Sequence, residues 1–149
     1  MSVVACKDDN ISPIEFPRII TPIAEWKSEL SLEFGYIDTN MVFRNSDDWD
    51  FVNTNYDPWY QPRKIIKDSI DFSVYQLIAV IGGWSHHSRH NITINELIEL
   101  TEMIIVSYSI GGYCSGYFEA SIPSHIVKIP ITDKNIYFVR VDDWRCLDE

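Results

Sequence analysis

The sequence is poor in basic residues and in cysteine. Its 149 residues hold 12 Lys and Arg against 22 Asp and Glu, a formal charge of −10 with His neutral. The densest basic stretch is only Arg63, Lys64 and Lys67. Such a surface repels nucleic-acid phosphates and anionic lipid head groups, which argues against direct binding to either. The three cysteines, Cys6, Cys114 and Cys146, are widely separated and odd in number, which fits neither a disulfide framework nor the paired spacing of a zinc site. No stretch approaches the 18 apolar residues of a membrane span, and Met1 to Asp9 lack the basic and apolar regions of a signal peptide. A cytoplasmic protein with reduced thiols is expected. Glycine-rich phosphate loops are also missing, so no nucleotide or other cofactor is expected.

What is present is core-forming material. Hydrophobic residues make up 46% of the chain, and there are 5 Trp, 8 Tyr and 7 Phe. That is enough apolar surface to offset the entropy of ordering one globular domain over residues 1–149. Thr21-Pro22 reads as a cap and first helical residue, with Ile23, Trp26, Leu30 and Phe34 at helical spacing up to Gly35. From about Tyr36 to Pro62 the periodicity fails, with only Met41 to Arg44 suggesting a short strand. Asp68 or Ser69 caps a second predicted helix bearing Ile70, Val74, Leu77, Ile78 and Ile81, although its other face is also apolar and a strand is an alternative. Thr93-Ile94-Asn95-Glu96 has the form of a capping box for a third helix through Leu97, Ile98, Thr101, Ile104, Ile105 and Tyr108.

Near the C-terminus, Val127, Ile129 and Ile131 alternate with Ile126, Lys128 and Pro130. Thr132 to Asn135 then separates them from the β-rich Ile136 to Val141, which predicts a β-hairpin with Pro130 placing its first strand at an edge. The expected fold class is therefore α+β: about three helices packed with a small antiparallel sheet. A monomer or weak dimer is the expected state.

The acidity is uneven. Between residues 31 and 62 only Arg44 opposes Glu33, Asp38, Asp47, Asp48, Asp50 and Asp57, and eight aromatics fall in the same stretch. Carboxylates there present a phosphate-like field, while Trp49, Tyr56, Trp59 and Tyr60 are the residue types that anchor protein interfaces. Together with Asp47, Asp48, Asp50 and Asp57 they form the candidate partner-binding set, suited to a basic protein. Burial of the aromatics and simple solvation of the acids is the competing reading. Glu96, Glu99 and Glu102, spaced by three with no basic residue from Asn91 to Pro123, form a candidate second acidic face.

In overall character, and in its acid-aromatic segment from Ser46 to Pro62, the chain is similar to the small acidic immunity proteins that neutralise bacterial toxins, including those of contact-dependent inhibition systems. That resemblance implies an inhibitor of one cognate toxin domain, often a basic nuclease, in which Asp47, Asp48, Asp50 and Asp57 mimic substrate phosphates. An acidic adaptor subunit for an endogenous basic protein would show the same surface.

An enzymatic alternative rests on Gly112-Tyr113-Cys114-Ser115-Gly116, a nucleophile-elbow pattern with Cys in the Ser place, and on His125 as its base. The pattern needs a strand before the turn and a helix after it, and the sequence favours neither. His86, His87 and His90 lie within five residues, but the flanking Gly and Ser residues read as a polar loop, and no metal site is expected.

Overall fold

The computed structural model describes residues 16–30, 39–55, 63–64, 66–81, 89–113 and 122–142. Within them lie ten strands and one helix: β1 Arg18–Ile19, β2 Ala24–Leu30, β3 Thr39–Phe43, α1 Ser46–Asn53, β4 Thr54–Asn55, β5 Arg63–Lys64, β6 Tyr75–Ile81, β7 Arg89–Glu99, β8 Met103–Tyr113, β9 Ile122–Pro130 and β10 Asn135–Arg140. Eight strands form two four-stranded sheets, β1-β7-β8-β10 and β2-β9-β6-β3, and β4 pairs with β5 separately. The class is therefore mostly β, not three helices packed with a small sheet.

Each predicted helix has a specific correction. The stretch from Ile23 is β2, paired antiparallel with β9 through Trp26 opposite Ile126. The second predicted helix ends in β6, between β9 and β3. The third is a hairpin: β7 and β8 pair antiparallel around a tight turn in which the Leu100 N–H donates to the Met103 carbonyl at 2.8 Å. The only helix among the described residues falls at Ser46–Asn53, inside the stretch expected to be irregular. The strand expected at Met41 to Arg44 is present as β3.

The C-terminal hairpin is also corrected. Both strands form, but β9 lies inside one sheet while β10 pairs parallel with β8 in the other. The turn after Pro130 carries the chain from sheet to sheet. Val127 and Ile129 then meet Ile136 and Phe138 in one apolar cluster. Stacking the two strands face to face buries both apolar rows, whereas pairing them side by side in one sheet would leave the inter-sheet space unfilled.

The layers follow from two apolar clusters. Ile78, Val80, Val127 and Ile129 of one sheet pack against Ile92, Ile94, Leu97, Ile104 and Val106 of the other. On the opposite side of the β2-β9-β6-β3 sheet, Leu77, Ala79 and Ile81 of β6, Ile126 of β9 and Phe43 of β3 are covered by Trp49, Val52 and Ile66. That sheet is covered on both faces. Its central strand β6 is buried from Gln76 to Ile81, which explains why the sequence there shows no polar alternation.

Candidate functional site

Helix α1 starts because Asn45 caps it: its Oδ1 accepts the Asp48 N–H at 2.9 Å, and its Nδ2 donates to Asp48 Oδ2 at 2.7 Å. Asp47 and Asp48 occupy the first turn, where carboxylates oppose the positive end of the helix dipole. The helix is fastened by its inner face. Trp49 is 3% exposed and packs edge-on against Phe43, ring centroids 5.2 Å apart, with Val52 buried beside it. Asn53 completes the attachment, donating to the Ile66 carbonyl at 3.0 Å and accepting the Ile66 N–H at 2.7 Å.

The outward face carries Asp47, Asp48 and Asp50, all exposed, and Phe51, which is 79% exposed. The structure thus brings three of the predicted acids together on one rigid element. Trp49 is placed in the core, so the exposed aromatic of this helix is its neighbour Phe51. Tyr56, Asp57, Trp59 and Tyr60 lie outside the described residues.

The second acidic set is dispersed. Glu96 is partly exposed on β7, and Glu102 is exposed in the turn before β8. Glu99 is buried, paired with Arg18 and, at 2.8 Å, with Lys134. Burial alone would raise the Glu99 pKa, but hydrogen bonds from Lys134 and Arg18 and their charges outweigh it and hold the carboxyl below its ordinary value. Lys134 also donates to the Leu100 carbonyl at 2.7 Å and lies over the Phe16 ring. This residue is a structural ion-pair centre.

Cys114, His86 and His87 lie outside the described residues, and of His90 only the backbone is described, in β7. His125 is 2% exposed in the middle of β9. Its Nδ1 accepts the Ile94 N–H at 2.8 Å, which puts the ring proton on Nε2. Nε2 stands 3.4 Å from Glu25 Oε2 but makes no hydrogen bond, so that contact is off the N–H axis. Burial, and then the charge of Lys27, lower the His125 pKa, with Glu25 opposing them. An imidazole held in this way faces Glu25 and the interior. Among the described residues no group of three or more metal-ligating side chains converges, and no helix is long and apolar enough to cross a membrane.

The outer face of the β1-β7-β8-β10 sheet was not anticipated from sequence. Cross-strand register places Ile19, Ile98, Ile105 and Tyr137 in one row across all four strands. Ile19 is 68% and Tyr137 52% exposed, and Val139 and Val141 extend the apolar area along β10. Alternation within β8, where Ile104, Val106 and Tyr108 point inward, was the available signal.

No family model, curated protein or solved structure matches this chain.

Proposed function

We propose that this chain is a binding protein of the immunity type, which occupies and neutralises a basic protein partner. The observation that carries the reading is helix α1. Three exposed carboxylates, Asp47, Asp48 and Asp50, stand on a helix held to the core by Trp49 and Val52, with no basic residue among its eight. A rigid acidic face loses little entropy on docking, and the overall charge of −10 steers a cationic partner toward it. Phe51 beside the acids supplies apolar contact area.

The test is capture from the native cell with the wild type and with Asp47, Asp48 and Asp50 changed together to Asn, washed at low and high salt. The reading expects one basic protein, held at low salt and lost with the triple variant. It also expects that adding this chain abolishes that protein's activity. A partner retained equally by the triple variant, or one whose activity is untouched, would overturn it.

A further inference from the structure

A cleft of about 250 Å³ lies at the side of the sandwich where the chain passes from β1 to β2. The crossing segment is fixed at both ends: the Ile20 N–H donates to the Leu97 carbonyl at 2.9 Å, and the Ile23 N–H to the Lys128 carbonyl at 2.8 Å. One bond goes to each sheet, so the cleft is held open by backbone rather than by mobile side chains. Its opening on β7 comes from two features. Strand β1 has two residues and covers β7 only at Ile98 and Glu99, and a bulge between Ile94 and Glu96 leaves Asn95 without a register partner on β8.

The lining is chemically one-sided. Ile20, Leu97 and Val127 supply apolar wall, Glu25 and Glu96 supply two carboxylates, and no basic residue among the described ones lines it. Lys27, on the same face of β2 as Glu25, directs its ammonium to Thr93 Oγ1 at 3.2 Å. Glu25 Oε2 also stands 3.4 Å from the buried Nε2 of His125, which is not itself part of the lining.

We propose that this cleft receives an alkyl cation, the guanidinium or ammonium side chain of an Arg or Lys on the basic partner. The aliphatic stem matches the apolar wall, and the head makes charge-assisted hydrogen bonds to Glu25 and Glu96. An anion is repelled by both carboxylates, and a neutral ligand leaves them unpaired. The proposal rests on the reading of a basic partner but concerns a site on the side of the sandwich, distinct from α1.

The probe is N-acetyl-arginine amide, titrated into the full chain and followed by amide NMR shifts, with N-acetyl-citrulline amide as the uncharged control of the same shape. Saturable shifts at Ile94 to Leu97 and Val127 are expected with the arginine probe and not with citrulline. The double variant Glu25→Gln and Glu96→Gln, verified as folded by its spectrum, should weaken binding about tenfold. Equal binding of citrulline, shifts elsewhere only, or an unaffected double variant would overturn the cleft. The probe reports on the cleft whether or not a basic partner is captured, and the Asp47, Asp48 and Asp50 variant should bind it as the wild type does.

Discussion

The imidazole of His125 on β9 accepts the backbone N–H of Ile94 on β7 at 2.8 Å, joining the two sheets through one buried side chain. Ile94 stands at the edge of the β7 bulge, where an amide on that side has no neighbouring strand to meet. The ring supplies the acceptor that a strand would otherwise give.

This bond makes stability depend on pH. Burial and Lys27 hold the folded His125 below its ordinary value of 6.5, so the unfolded chain takes the proton more readily. The contribution is complete above about pH 6.5 and is lost as pH falls from there through the folded pKa. Urea unfolding between pH 7.5 and 5.5 should show falling stability, and His125→Gln should be less stable at pH 7.5 with a flatter profile. An unchanged slope in His125→Gln would remove His125 as the source.

Glu99 sets a second, lower window. Its folded pKa lies below the ordinary 4.5, so the stability it contributes is present above that value and is lost as the carboxyl protonates in acid. Lys134→Met leaves the buried carboxylate with Arg18 as its partner and should cost about 3 kcal/mol. Chemical denaturation at pH 7 measures it, and a cost near zero would mean that Arg18 alone suffices.

Trp49 and its acidic neighbours should separate cleanly. Trp49→Ala empties a site that is 3% exposed and should cost about 3–5 kcal/mol, whereas Asp50→Asn should change stability by less than about 0.5 kcal/mol. If Trp49→Ala folds with wild-type stability, the side chain is not part of the core.

Asn53 should matter as much as an apolar core residue. Its amide satisfies both backbone groups of the buried Ile66, so Asn53→Ala leaves a buried donor and acceptor unpaired and should cost about 2–4 kcal/mol. Amide exchange at Ile66 should accelerate in that variant, and unchanged protection would contradict the assignment.

Why the hairpin β7–β8 reads as a helix can be traced residue by residue. The bulge at Asn95 places the inward residues Ile94 and Leu97 three apart instead of two, and the turn at 100–102 adds an offset before Ile104. Those two irregularities imitate helical spacing in Leu97, Ile98, Thr101, Ile104 and Ile105. Thr93 and Glu96 then resemble a capping box, although Thr93 Oγ1 receives Lys27. The β6 ambiguity has a different origin. A strand buried on both faces shows no alternation, and only its neighbours decide its class. Of the candidate partner surface, the exposed acids at 47, 48 and 50 were legible, while the inward turn of Trp49 depended on its contact with Phe43 from β3.

The charge of −10, its concentration around Asp47 to Asp50, and a stock of apolar residues sufficient for a core follow from composition and local order alone. These are sums over residues and need no partner to be read. The two-sheet sandwich of the described residues, the placement of β9 and β10 in different sheets, and the cleft beside Glu25 come instead from long-range packing. Each of those depends on pairings between residues far apart in the chain, where burying a second face outweighs local propensity.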